Sequence, residues 1–179
     1  MRKRRFPTDA EVDRWIADHL ADLDVIVAAY GPAKADQIQA ASRDTMALSR
    51  RLAPLFSAGR IEFESDAPGP GTRMAVRMYL AAESYGIRPA CPHVETDRPL
   101  TLMCDPPTVS CTTCLPLILP GLMFRGFRFN HVCDHCGRQV KTLAAVAATL
   151  GCMMIHGHVC RPCKSAFLGA VAPHSRPAE

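Results

Sequence analysis

Apolar side chains recur every three or four residues through the first half of the chain, in three stretches that glycine and proline separate. This spacing predicts helices over about 8–30, 33–56 and 72–85. Thr8 and Glu11 fit a capping box at the start of the first helix, in which each side chain bonds the other residue's backbone amide. Gly31-Pro32 is expected to end this helix, and a short extended segment (61–64) and a Pro- and Gly-rich loop (66–71) are expected before the third.

Beyond residue 90 the pattern changes to short apolar segments divided by turns. Residues 100–103 and the segment that leads from Val109 to Cys111 predict one strand pair. Residues 140–149 and 152–159 predict a second pair that turns at Gly151, although 143–150 fits a short helix equally well. Helices are expected after residue 114, shortened by Pro116 and Pro120, and over 164–171. The predicted fold class is therefore α+β, with an N-terminal helical region followed by two tandem β-hairpin and helix units.

The second half also carries all nine cysteines, most of them in C-x-x-C pairs. A two-residue gap lets both thiolates of a pair reach one tetrahedral ion from a tight turn. The sequence therefore predicts two structural Zn²⁺ ions with four ligands each. The predicted metal ligands are Cys91, His93, Cys111 and Cys114 in the first unit and Cys133, Cys136, Cys160 and Cys163 in the second.

The two ligand sets have the form of a repeat. Cys91-x-His93 is followed after 17 residues by Cys111-x-x-Cys114, and Cys133-x-x-Cys136 is followed after 23 residues by Cys160-x-x-Cys163. Each unit has one further cysteine ahead of its second pair, Cys104 or Cys152. These two cysteines are expected on equivalent hairpin strands as small buried apolar residues, not as ligands.

The order of ligand turn, hairpin and helix bearing the second ligand pair resembles the treble-clef zinc-finger group. Residues 131–171 match that pattern well; residues 91–119 match it less completely, since their first ligand turn is C-x-H. The resemblance implies the ligands, whereas members of the group include nucleic-acid binders, protein-recruiting adaptors and nucleases. The predicted organisation is a basic arm (1–7), a helical domain (8–88), zinc unit 1 (89–121), zinc unit 2 (122–172) and a tail (173–179).

Localisation follows from what the apolar segments lack. The chain begins with four basic residues in its first five and no apolar segment after them, so no secretion signal is expected. The longest apolar runs fall short of the roughly 18 residues that a membrane span requires. A cytoplasmic, reducing location without membrane contact is therefore predicted, in which cysteine pairs hold metal instead of forming disulfides.

The formal charge of +4 suggests nucleic acid as a partner, but bound metal would change it. Residues 91–179 contain eight Lys or Arg against five Asp or Glu, a formal charge of +3. A four-thiolate zinc site contributes −2 and a three-thiolate, one-histidine site −1, so two loaded sites would bring this half to about zero. The residues with which the chain would contact nucleic acid or another partner are Arg2, Lys3, Arg4, Arg5, Arg125, Arg128, Arg138 and Lys141.

Two further features leave alternatives open. Residues 124–129 alternate aromatic and basic side chains, which suits either base stacking or a hydrophobic bridge strand between the units. His131, His135, His156 and His158 are all expected at the surface or beside the ligands, and His156-Gly-His158 could alternatively supply a general base and a catalytic metal ligand.

Three hypotheses on function follow. The first is a non-enzymatic structural-zinc protein that acts as a protein-interaction or regulatory adaptor. The second is a nucleic-acid-binding zinc-finger protein, and the third a treble-clef nuclease. Four protein ligands close each predicted site, so no catalysis is expected. The charge correction weighs against nucleic acid, so the first hypothesis is favoured. A protein partner is expected, nucleic acid is the alternative partner, and the oligomeric state is left open.

Overall fold

The computed structural model describes residues 4–56, 60–63, 72–95, 99–126 and 131–171. Its helices are α1 (Asp9–Phe56), α2 (Thr72–Tyr85), α3 (Leu115–Gly126) and α4 (Arg161–Val171). Its strands are β1 (Arg60–Phe63), β2 (Arg88–Pro89), β3 (Leu100–Cys104), β4 (Pro107–Cys111), β5 (Thr142–Leu150) and β6 (Met153–Val159). This mixture of helices and sheet confirms the predicted α+β class.

All six strands join one sheet in the order β1-β5-β6-β3-β4-β2. The two predicted hairpins are present as the antiparallel pairs β3–β4 and β5–β6. They are joined at the centre by parallel pairing of β3 with β6, from Leu100 opposite Met153 to Met103 opposite His156. The short strands β1 and β2 add to the edges in parallel with β5 and β4. Both ligand-bearing segments are therefore built onto a single sheet.

Two apolar clusters cover the two faces of this sheet. Side chains alternate between faces along a strand, and Leu102 and Ile155 belong to one cluster while their neighbours Met103 and Met154 belong to the other. The first cluster contains most of the buried face of α2, including Met78. The second takes in Leu115 and Leu119 of α3 and Ile38 of α1.

Helix α1 serves both clusters because it is interrupted at Gly31. This glycine has φ +73° and ψ 169°, a backbone conformation that residues other than glycine rarely adopt. Val12 before the break lies in the first cluster, and Ile38 after it lies in the second. The predicted capping box is confirmed: the Thr8 amide donates to Glu11 Oε2 at 2.8 Å, and the Glu11 amide donates to Thr8 Oγ1 at 3.3 Å.

Two expectations about the units are wrong. Helix α3 does not end near Pro120 but runs on to Gly126, and Pro116 lies in its first turn, where a helix has no partner for a backbone amide. Cys104 ends strand β3, whereas Cys152 lies in the turn between β5 and β6, so the two are not at equivalent strand positions. Both hairpin turns contain two residues, but β6 has 7 residues and β4 has 5, so a similar distance from the next ligand pair gives different positions in the two hairpins.

Other expectations concern residues outside the described ranges. The loop 66–71, residues 127–129 of the aromatic and basic segment and the tail 173–179 lie there. The predicted domain limits at residues 88 and 121 stay a prediction, and the sheet takes strands from both sides of each. Among the described helices, none combines the length and the apolar character that crossing a lipid bilayer demands.

Candidate metal centres

The first group of metal-ligating side chains lies at one end of the β3–β4 hairpin. Cys91 and His93 come from the turn around a short 3₁₀ segment (Pro92–Glu95). Cys111 is the last residue of β4, and Cys114 directly precedes α3. The ligand atoms of all four residues lie within 4.8 Å of one another. The Cys111 amide also donates to Cys91 Sγ at 3.3 Å, which satisfies a thiolate lone pair.

The second group is assembled by the equivalent elements of the other hairpin. Cys133 and Cys136 lie on a turn closed by the isolated bridge between Val132 and Gln139. Cys160 follows β6, and Cys163 lies in the first turn of α4. These four sulfur atoms also lie within 4.8 Å of one another. The structure thus brings together the two ligand sets that the cysteine spacing predicts, each able to hold a metal ion.

The separations between ligand atoms fit a tetrahedral ion. Metal–sulfur bonds of about 2.3 Å give sulfur–sulfur edges of about 3.8 Å, and a bond of about 2.1 Å to histidine gives nitrogen–sulfur edges of about 3.6 Å. Cys136 Sγ lies 3.7 Å from Cys160 Sγ. His93 Nδ1 lies 3.3 Å from Cys114 Sγ and 3.9 Å from Cys111 Sγ. Three thiolates with an imidazole, and four thiolates, are donor sets that zinc commonly takes in closed structural sites.

The two groups share contacts as well as ligand order. The Cys160 amide donates to Cys133 Sγ at 3.2 Å, as the Cys111 amide does to Cys91 Sγ. His135 Nδ1 lies 3.2 Å from Cys163 Sγ, but His135 is outside the group of four whose ligand atoms converge. Its role beside the ligands was expected from sequence. Its contact with this particular sulfur was missed, although the shared spacing of Cys91-x-His93 and Cys133-x-His135 would have indicated it.

Neither of the remaining cysteines joins a ligand group among the described residues. Cys104 is fully buried in the first apolar cluster, and burial raises the pKa of its thiol well above the ordinary value. Cys152 is half-buried against the second cluster. Both positions suit small apolar residues that pack in the core.

The basic arm is anchored onto the second ligand turn, which the sequence did not indicate. Arg4 pairs with Asp134 at 2.5 Å, and Asp134 lies between the ligands Cys133 and Cys136. The Arg4 guanidinium lies 5.3 Å from the centre of the Phe6 ring. A Cβ atom at Gly137, where φ is +73°, would lie only 2.6 Å from Phe6 Cδ2. Glycine therefore meets both the backbone conformation and the close approach of the arm.

The rest of the arm is held by α2. The Arg5 amide donates to Ser84 Oγ at 3.0 Å, and Ser84 Oγ donates back to the Arg5 carbonyl at 3.0 Å. Arg77 donates to the Pro7 carbonyl at 3.0 Å and forms an ion pair with Asp9. The Arg5 side chain pairs with Glu11. Two of the four predicted arm cations thus face carboxylates of the same chain.

The remaining predicted contact residues lie apart from these anchors. Arg138 and Lys141 are exposed next to the second ligand turn. Arg2, Lys3 and Arg128 lie outside the described residues, as does the side chain of Arg125 at the end of α3.

His156 and His158 are both buried within the sheet, with exposed fractions of 1% and 6%. Burial lowers the pKa of His156 to about 3, with the neighbouring His158 adding to the effect, and lowers that of His158 to about 4. Their rings meet edge to face at 5.6 Å. Among the described residues, neither ring nitrogen of His156 has a hydrogen-bond partner. Both imidazoles are consequently neutral at pH 7 and shielded from solvent.

Comparison of the chain with protein-family models, with curated proteins and with solved structures finds no match in any of the three.

Proposed function

We propose that this chain is a non-enzymatic structural-zinc protein that acts as an adaptor for another protein, with two treble-clef-like units that each hold one Zn²⁺ ion. The observation that carries the proposal is the closure of both ligand groups, each with four converging protein ligands. A closed tetrahedral site holds the fold, whereas a catalytic zinc keeps one position open for water or substrate. Each ion would fix a ligand turn onto a hairpin and the start of a helix.

The hypothesis of a nuclease has less support because its two candidate residues are buried. A general base must come within hydrogen-bond reach of the proton that it removes, directly or through one water. His156 and His158 lie inside the sheet with their pKa values lowered to about 3 and about 4, so they are weak bases without solvent contact. The hypothesis is kept as an outcome of the test below.

The arm contacts favour a protein partner over nucleic acid. Arg4 is buried in its pair with Asp134, which removes it from the accessible phosphate-binding residues, and Arg5 pairs with Glu11 at the surface. Affinity for nucleic acid at physiological salt depends on the number of phosphates that cations neutralise. Protein contact requires only a rigid surface, and the described helices expose large apolar side chains at Leu20, Val25 and Leu117.

The test is a salt titration of binding to single- and double-stranded DNA and RNA by the zinc-loaded protein, measured by fluorescence anisotropy. With Arg138 and Lys141 as the main described contacts, we expect affinity weaker than about 1 μM and a salt slope near −2. The control is the double substitution Arg138→Ala and Lys141→Ala, which should flatten the slope. Sub-micromolar binding with a steep slope would instead establish the nucleic-acid-binding alternative.

Two parallel assays complete the test. Hydrolysis of the same nucleic acids with added Mg²⁺ or Mn²⁺ is expected to be absent, and cleavage lost on His156→Ala would establish the enzyme. Affinity capture from native lysate, with and without nuclease treatment, should enrich the same protein under both conditions. A partner lost after nuclease treatment, or no enriched protein at all, would contradict the adaptor proposal.

A further inference from the structure

Both ligand turns contain a histidine two residues after their first cysteine. In the first unit this residue is His93, which belongs to the converging ligand group and whose Nδ1 atom lies 3.3 Å from Cys114 Sγ. In the second unit it is His135, whose Nδ1 atom lies 3.2 Å from Cys163 Sγ. Cys114 and Cys163 are the corresponding last cysteines of their units, so the two imidazoles make the same contact.

The two units also share a second contact. In each, the amide of the third ligand donates to the sulfur of the first, at 3.3 Å for Cys111 and 3.2 Å for Cys160. The units differ at the next position of the turn, where the second has Cys136 and the first has Val94. The second unit therefore has a histidine beside its four converging cysteines.

We propose that His135 is a reserve ligand of the second metal site, able to complete the set Cys133, His135, Cys160 and Cys163 when Cys136 does not bind. The inference rests on the proposed binding of zinc at this site. His135 Nδ1 is already near a tetrahedral edge length from Cys163 Sγ, about 3.6 Å for a zinc site. His135 lies outside the converging four, so the imidazole must turn toward the position that the Cys136 sulfur leaves.

Cys136 is the most exposed of the four cysteines in the second group, so it is the ligand most open to modification. Cys133, Cys160 and Cys163 have exposed fractions of 0%, 2% and 9%, whereas Cys136 is half-buried. Modification of cysteine follows thiolate character and exposure, so reagents reach Cys136 most readily of the four. With His135 in reserve, loss of this thiolate leaves the ion and the ligand turn in place.

The test compares Cys136→Ala, His135→Ala and the double variant with the wild-type chain, loaded with Zn²⁺ for native mass spectrometry and with Co²⁺ for absorption spectroscopy. Cys133→Ala is the comparison ligand deletion, because Cys133 is fully buried and its sulfur accepts the Cys160 amide, a position that the His135 imidazole is not expected to take. Cys152→Ala is the matched cysteine deletion outside the sites. His131→Asn is the histidine control, because asparagine tolerates the φ of 49° at this position. Circular dichroism establishes whether each variant is folded.

We expect two ions in the wild-type chain, in Cys136→Ala and in His135→Ala, and one ion in the double variant and in Cys133→Ala. The Co²⁺ spectra give a sharper signature, because the first site is itself bound by three thiolates and one imidazole. The spectrum of Cys136→Ala should therefore be close to twice that of the double variant. The wild-type spectrum should contain an additional four-thiolate component.

Three results would overturn the proposal. Cys136→Ala that loses its second ion as fully as the double variant would show that His135 does not bind. A double variant that keeps two ions would show that water completes the site. His135→Ala that weakens metal affinity by about 10- to 100-fold, with Cys136→Ala losing the ion, would assign His135 as a hydrogen-bond donor to Cys163. A wild-type chain without two ions would count against the proposed function itself.

Discussion

Replacing Arg4 by methionine is expected to lower the free energy of unfolding by about 3 kcal/mol, although Arg4 belongs to a terminal arm. The side chains of Arg4 and Asp134 are only 15% and 2% exposed. Removing one partner of such a buried ion pair leaves the other charge uncompensated, which costs about 3–5 kcal/mol. Methionine keeps most of the apolar stem, so the change removes the guanidinium with its charge and its contact with Phe6 while most of the packed volume stays.

The loss of stability depends on how many hydrogen bonds the protein makes to the two buried charges. Asp134 accepts a further hydrogen bond from the His158 amide at 2.6 Å, but Arg4 Nε and Nη2 have no hydrogen-bond partner within the described part of the chain. Burial raises the pKa of Asp134 even though Arg4 and this amide oppose the shift, so desolvation outweighs their attraction. For buried ion pairs in general, the cost of desolvating both charges offsets most of their attraction. The double variant Arg4→Met with Asp134→Asn should come within about 1 kcal/mol of wild type, because asparagine still accepts the amide bond.

The assay is urea unfolding at fixed excess zinc, followed by the fluorescence of Trp15, the only tryptophan of the chain. Fixed zinc is needed because ligand binding adds to apparent stability. Equal denaturant slopes would show that the variants differ in stability and not in compactness. A loss below 1 kcal/mol for Arg4→Met alone would refute the buried anchor. A double variant destabilised by the sum of the single losses would refute the coupling.

Three further outcomes are expected. Cys133→Ser should unfold the second ligand turn and its hairpin, since a structural zinc ion contributes on the order of 10 kcal/mol to folding. Cys152→Ala should shift the unfolding midpoint only slightly. Equal zinc loss in both variants would mean that the ligand sets are wrong. His156→Leu should raise the unfolding free energy by about 1–2 kcal/mol, because it removes two buried nitrogens without partners; destabilisation would indicate an unrecognised partner for the imidazole. Asp105→Asn should stabilise the protein by on the order of 2–3 kcal/mol above pH 6 and not below about pH 4. Burial raises the folded-state pKa of Asp105 to about 6, so the stability of the wild-type protein falls as pH rises through this range. An equal gain at both pH values would contradict this assignment.

Local patterns predict the ligand groups and most elements because their signals lie close together in sequence. Cys160 and Cys163 reach one ion from a single turn, and Thr8 and Glu11 cap a helix across three residues. Strand β5 was ambiguous between helix and strand, since its alanine-rich sequence fits either. In the structure this segment is a strand because it pairs with β6 and β1. Pairing with β1 joins segments that are distant in sequence, and no hydrophobic periodicity in the sequence indicates it.

The arm shows most clearly what could not be predicted. Arg4 and Asp134 are 130 residues apart, and nothing near either residue marks the other as its partner. A run of basic residues at a terminus usually indicates a solvated segment or a phosphate contact. The structure instead seats Arg4 against the second ligand turn, where Gly137 leaves room for Phe6. His135 is different, since the repeated Cys-x-His spacing was visible in the sequence.

The most direct test of the central claim is native mass spectrometry of the freshly purified, reduced chain. We expect two zinc ions on each chain, one for each group of four converging ligands. Cys133→Ser removes one ligand of the second site and should leave one zinc ion on the chain. A wild-type chain that carries no zinc, or only one ion, would contradict the conclusion that two closed zinc sites hold this fold together.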